Sequence, residues 1–133
     1  MGERQVIPVV AAVIEEDGRF LVTCRPPGVH LAGMWEFPGG KVDSAEAHDA
    51  ALRRELREEL GVDVTVGALV HQTTHAYPER TVVLFFYRCV LRGVPHPQLG
   101  QEVRWVARQE LPQLGFPPAD AELIDRLVKS DAR

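Results

Sequence analysis

Cysteine is scarce in this chain: Cys24 and Cys89 are the two among 133 residues. They form no paired short spacing, which excludes a disulfide scaffold or a cysteine-rich zinc site and fits a reducing compartment. Long apolar runs are missing as well. The stretch from Val9 to Ile14 falls far short of the ~18 residues a membrane span needs, so no membrane partner is expected. The N-terminus carries no apolar segment flanked by basic residues, so a secretory leader is not expected and a cytoplasmic location is. An excess of positive charge is also lacking. With 15 Lys+Arg against 19 Asp+Glu the net charge is −4, a poor match for gripping a nucleic-acid polymer. There is no internal repeat and no low-complexity tract. At 45% hydrophobic and 26% charged the composition is that of a globular protein. The length corresponds to one domain, residues 1–133.

The acids that are present are unevenly placed. From Glu36 to Glu59 the chain holds seven acids and four bases, which is −3 of the total −4. Beta-branched residues predict a strand from Val6 to Ile14, a turn at Glu16-Asp17-Gly18 and a second strand from Phe20 to Cys24 paired with it as a hairpin. A loop from Pro26 to Gly40 follows. A helix is expected next, capped by Asp43 or Ser44, running to Leu60 and stopped by Gly61. Strands fit Val62 to Thr74 and Thr81 to Leu91, joined by a turn at Tyr77-Pro78-Glu79. A further strand fits Glu102 to Val106, and a last helix fits Asp120 to Lys129. This order argues for a mixed α/β sandwich rather than a regular βαβ alternation.

On the central helix Leu52, Leu56 and Leu60 form a stripe that should pack on a sheet. Glu55, Glu58 and Glu59, related as i, i+3 and i+4, share the adjacent face. Three ionised carboxylates so close repel one another unless a cation neutralises them. Arg54 beside them supplies one charge; a hard divalent cation supplies two, and carboxylate, carbonyl and water oxygens are the ligands Mg²⁺ prefers. Glu46 lies nine residues before Glu55, nearly opposite on a helix, so it can join this site only from the loop or the frayed first turn. A solvated charged face laced by i,i+4 pairs is the alternative.

The order Gly40, five residues, Glu46, seven residues, Arg54-Glu55-Leu56, one residue, Glu58-Glu59, one residue, Gly61-Val62 resembles the Nudix box without a mismatch. Its nine constrained positions would agree by chance roughly once in 10⁹ starting points. The box covers residues 40–62. Trp35-Glu36-Phe37-Pro38-Gly39-Gly40-Lys41, Tyr77-Pro78-Glu79-Arg80 and Phe116-Pro117-Pro118-Ala119-Asp120 extend the likeness to the MutT-like branch, which removes oxidised or modified nucleotides from the pool.

The resemblance implies a Nudix α/β/α sandwich with a mixed central sheet and a loop–helix–loop box. It implies Mg²⁺-dependent (Mn²⁺ as an alternative) hydrolysis of a nucleoside triphosphate, with water attacking the β-phosphorus to release the monophosphate and pyrophosphate. By the same correspondence Glu55, Glu58, Glu59 and the Gly40 carbonyl are metal ligands, Arg54 orients Glu55, and Glu46 supports the site. Such chemistry needs charge neutralisation and an aligned water more than covalent steps.

Arg25, His30 and Arg80 match positions that face the nucleotide, and Phe37 and Tyr77 match an apolar wall. Asp120 stands where a well-known member acting on oxidised guanine has asparagine; aspartate there is similar to the cytidine-triphosphate pyrophosphohydrolase subgroup. An ionised aspartate only accepts hydrogen bonds, which favours a base bearing an amino group without choosing cytosine or purine. The branch often carries a glutamate six residues before the last strand's tryptophan; here that position is Leu99. The general base is therefore left open between Glu58, Glu59 and Glu102. His71 and His75 lie i,i+4 in an expected strand, which is not a helical metal pair, and Cys24 and Cys89 read as buried, inert thiols. The alternatives are an ADP-ribose or dinucleoside polyphosphate hydrolase, suggested by Tyr77 and Pro78 about 15 residues beyond the box, and a silent nucleotide-sensing module, suggested by Leu99. A monomer or homodimer is expected.

Overall fold

The computed structural model describes residues 5–28 and 32–130. The elements in chain order are β1 (Gln5–Val13), β2 (Glu15–Glu16), β3 (Arg19–Cys24), β4 (Trp35–Glu36), β5 (Gly39–Lys41), α1 (His48–Leu60), β6 (Val64–Ala76), β7 (Arg80–Leu91), β8 (Glu102–Ala107) and α2 (Ala121–Lys129). Two 3₁₀ turns, Arg108–Gln113 and Pro118–Asp120, lead into α2. A mixed sheet runs β5-β1-β7-β6, with β1 and β7 parallel and the outer pairs antiparallel. A second, antiparallel sheet is built on β3, which pairs with β2, β4 and β8.

The layering follows from the apolar run in β1. Side chains alternate across a strand, so Val10 and Ala12 join Leu21, Leu52, Leu56 and Leu60 under α1. Ala11 and Val13 join Phe20, Phe86, Leu123 and Leu127 under α2. A strand buried on both faces reads as continuous rather than alternating hydrophobicity, and β1 does so because a helical layer covers each side. The expected leucine stripe is fully buried, and Gly61 ends α1 in the left-handed region at φ 60°, a conformation that costs glycine least.

Three expectations change. First, the hairpin after the opening strand is only Glu15-Glu16 against Arg19-Phe20; β1 itself pairs with β7 and β5 in the other sheet, where parallel pairing with β7 runs its whole length and buries its second half. Second, neither Asp43 nor Ser44 caps α1. The helix begins at His48 behind Ala47, which is extended and offers no side-chain cap. Residues 43–46 close a separate turn in which Glu46 N–H donates to the Asp43 carbonyl and Glu46 Oε1 accepts from Asp43 N–H, at 3.0 and 2.9 Å. Ala45, within that turn, sits at φ 62°, outside the helical region, so the helix does not extend back through it. Third, the loop from Pro26 to Gly40 contains β4 and β5, and the strand expected from Val62 begins at Val64 and continues to Ala76. Among the described residues no helix is long and apolar enough to cross a membrane.

Candidate active site

Because the chain breaks before α1, Glu46 hangs off the helix cylinder and turns back to Arg54. The Arg54 guanidinium is then fully engaged. Nε donates to Glu46 Oε2 at 2.9 Å, Nη2 to Glu46 Oε1 and the Lys41 carbonyl at 3.0 Å each, and Nη1 to Glu55 Oε2 at 3.0 Å and Glu58 Oε1 at 2.9 Å. Five contacts match the five N–H groups of a guanidinium. The hydrogen bond from Arg54 holds Glu46 at a pKa of about 2, and Glu46 in return raises that of Arg54. One cation thus ties the loop carboxylate to two acids on α1.

Glu59 takes the opposite course. Its half-buried carboxyl hydrogen bonds to Glu55 and accepts from the Gly39 N–H. Burial pushes its pKa well above the usual carboxylate range, and the neighbouring Glu55 and Glu36 charges push it further. Glu55 also presses on Gly40 so closely that a Cβ there would overlap its carboxylate. A side chain at position 40 would have to displace the Glu55 carboxylate, and the backbone of β5 lies directly against the acid.

Among the described residues no three His, Cys, Asp or Glu side chains already converge tightly enough to hold an ion. The donor set nonetheless fits a divalent cation. Glu55 and Glu59 are adjacent, hydrogen-bonded carboxyls with no second positive charge between them among the described residues, Glu58 projects from the same face, and Gly40 brings backbone to the same place. A divalent cation there would be held by these carboxylates and would offset their mutual repulsion.

Beside this acidic face opens a cavity of about 410 Å³, bounded by β1, β4, β5, β7 and the turn before α2. Gly39, Gly40 and Lys41 border it on the side of the acids; Ile7, Val9, Val82, Leu84 and Phe86 form an apolar wall. Arg25, Phe37, Tyr77, Arg80 and Asp120, all singled out in the sequence, line it together. Phe37 is buried and stacks on Phe116 with centroids 5.3 Å apart, so it serves core and wall at once. Tyr77 N–H donates to the Arg80 carbonyl at 2.8 Å, closing the turn that carries both. Asp120, 5% exposed, sits where the 3₁₀ turn meets α2 and makes no side-chain hydrogen bond among the described residues. Burial, with the Glu36 charge adding to it, lifts its pKa to about 7.

His30 lies outside the described residues. Leu99 is exposed. Glu102, the remote candidate for the base, pairs with Arg104 at 2.8 Å and does not line the cavity. Of the two cysteines expected to be buried, Cys89 is and Cys24 is only half-buried; burial raises both thiols, Cys89 to about 11. Sequence reasoning missed Glu36, a lining carboxylate that accepts from Arg25 Nη2 at 3.0 Å. It stands at the head of the acidic window and within the Trp35–Lys41 segment, but neither singled it out as a site residue; the pairing itself depends on the β3–β4 register.

Comparisons with known proteins bear on the family and the fold. Residues 9–126 match the NUDIX domain model. The chain is 38% identical over 128 residues to a protein of Haemophilus influenzae named 8-oxo-dGTP diphosphatase, covering 95% of this chain and 94% of that one. It is 38% identical over 125 residues to the CTP pyrophosphohydrolase of Escherichia coli, covering 93% of each. The solution structure of the E. coli ORF135 protein superposes with a TM-score of 0.87 at 37% identity, over 97% of this chain and 93% of that one. The fold, the box and these relatives agree: the chain belongs to the NUDIX domain family.

Proposed function

We propose that this protein hydrolyses nucleoside triphosphates to the monophosphate and pyrophosphate, clearing modified or surplus nucleotides from the pool. The observation that carries this reading is the continuity of the cavity. It runs from Gly40, packed on the Glu55 carboxylate, to buried Asp120, so a single ligand has its phosphates at the acids and its base against the apolar wall. Nudix hydrolases generally need a divalent metal. Here the metal is Mg²⁺, with Mn²⁺ able to replace it, and Glu55, Glu58, Glu59 and the Gly40 carbonyl hold it. When bound it supplies charge neutralisation and water activation. Arg54 fixes Glu55 and Glu58 against their mutual repulsion, and Glu46 fixes Arg54. Glu58 or Glu59 takes the proton of the attacking water. Arg25 and Arg80 face the nucleotide, Phe37 and Tyr77 pack on it, and Asp120 binds an exocyclic amine.

The relatives named for 8-oxo-dGTP and for CTP point to the two substrates to try first; both bases bear an amino group. The test is a Mg²⁺-dependent screen over CTP, dCTP, GTP, 8-oxo-dGTP, ADP-ribose and diadenosine polyphosphates. Pyrophosphate release from CTP or 8-oxo-dGTP is the expected result. Turnover of ADP-ribose or the dinucleotides alone would replace this reading with the alternative hydrolase, and binding with no turnover of any of them would make the protein a sensor.

A further inference from the structure

Antiparallel pairing of β3 with β4 sets Thr23 opposite Glu36 and Cys24 opposite Trp35, so Arg25, the residue leaving β3, emerges beside Glu36. Its Nη2 and Nε donate to the same oxygen, Glu36 Oε1, at 3.0 and 3.3 Å. The backbone of Arg25 is fixed as well: its N–H donates to the Met34 carbonyl and its own carbonyl accepts from Gly33 N–H, at 3.1 Å each. The charged and titratable groups lining the cavity are Arg25, Glu36, Lys41, Tyr77, Arg80 and Asp120. Of these, Glu36 acts electrostatically on Asp120 at one end and on Glu59 at the other. A half-buried carboxylate in this place is costly unless paired, and its single ion-pair partner among the described residues is a residue of the nucleotide-facing set.

We propose that Glu36 is a positioning residue of this site: it holds the Arg25 guanidinium on the cavity wall and acts across the cavity on Asp120, so that the Arg25–Glu36 pair and Asp120 together set which base is bound. This rests on the reading of the cavity as a base pocket. Without Glu36, Arg25 loses two hydrogen bonds to the cavity wall and Asp120 loses a like charge that opposes its ionisation. The two effects are separable, because Glu36→Gln removes the charge while nearly keeping the shape, and Glu36→Asp keeps the charge while shortening the arm.

The experiment uses the full chain and two readouts. Carboxyl-carbon NMR follows the titration of Asp120 in the nucleotide-free protein, and calorimetry gives the Kd of CMP and of 8-oxo-dGMP. In Glu36→Gln the Asp120 midpoint is expected to fall by about half a pH unit, and the ratio of the two Kd values to change by about fivefold or more. In Glu36→Asp the midpoint stays near the parental value while the ratio still changes. A parental midpoint and a parental ratio in Glu36→Gln would overturn the proposal. If the parent binds neither nucleotide, the base-pocket reading fails on its own. The Asp120 titration then decides whether Glu36 acts across the cavity: a lower midpoint in Glu36→Gln supports it and an unchanged one overturns it.

Discussion

The cavity has two ends made in opposite ways. At the α1 end the charged groups stand partly in solvent and hold one another: Arg54 makes five contacts, four to carboxylate oxygens of Glu46, Glu55 and Glu58 and one to a backbone carbonyl. At the α2 end a single carboxyl, Asp120, is enclosed among apolar residues with no hydrogen-bond partner on its side chain among the described residues. The first arrangement manages an excess of negative charge by cross-linking it. The second tolerates a lone acid by raising its pKa to about 7, so that it is only partly ionised at neutral pH. An excess of acid calls for a cation, and an unpartnered buried acid calls for a ligand that satisfies it; the two ends thus ask for the two parts of a metal-bound nucleotide.

The largest effects are expected at the acid end. Glu58→Gln should lower kcat by about three orders of magnitude with little change in thermal unfolding, since Glu58 is more than half exposed and the amide oxygen can still accept from Arg54. Pyrophosphate release and a melting curve check this together; parental turnover would break the assignment of chemistry to this end. Next in size is a contrast between neighbouring glycines. At Gly40 an added Cβ meets the Glu55 carboxylate, a side chain, whereas at Gly39 it meets the Val10 carbonyl and the backbone of β1. Gly40→Ala should therefore fold and lose about 100-fold in activity by displacing Glu55, while Gly39→Ala should disrupt the β1–β5 pairing and fail to give soluble, folded protein. Equal behaviour of the two would mean that Gly40 serves the fold rather than the site.

At the other end the effect is smaller and carries a sign. Asp120 has a pKa of about 7 in the fold and an ordinary one when unfolded. Between pH ~4 and ~7 the unfolded chain has released a proton that the native chain retains, so stability falls as pH rises through that window and levels off above it, by a total on the order of 4 kcal/mol. Asp120→Asn removes this slope. Denaturant unfolding at pH 4.5 and 8 should show the variant gaining on the parent as pH rises, and the same variant should reorder the nucleobases in a hydrolysis screen. A parental slope would show that Asp120 is not the group held protonated, and an unchanged order of bases would remove it from recognition.

What could be read from the sequence divides along the same line. The α1 acids, the leucine stripe and Gly61 all lie within one helix, where spacing alone fixes which side chains are neighbours, and they were legible. Glu46 was legible only as a condition, that it come from the loop. The break that satisfies the condition rests on Ala45 at positive φ, a conformation that nothing in an alanine announces. Asp120, Arg25 and Arg80 came from the family likeness. The role of Glu36 came from neither, although it lies in the acidic window and the family-like segment, since its partner Arg25 is eleven residues away and is brought to it by the β3–β4 register, a tertiary fact with no local periodicity. The opening hairpin was misread for the same reason: β1 had a nearer partner in sequence than the one that buries it.

The smallest effect expected is at Leu99, where the family likeness leads one to look for an acid. Leu99 is exposed, and its N–H donates to Gln101 Oε1 at 2.8 Å. Gln101 Nε2 donates in turn to the Glu59 carbonyl at 2.8 Å, so this loop is pinned to the last turn of α1 by its backbone and by Gln101, not by the Leu99 side chain. Leu99→Glu should therefore leave the fold intact and add one solvated negative charge near the negative end of the helix dipole, a perturbation worth a few tenths of a kcal/mol at such exposure. The expected change in kcat is under about threefold. A gain of tenfold or more would show that the loop reaches the attacking water, and that the acid end as it stands, with Glu58 and Glu59 alone to take the proton, is short of one carboxylate.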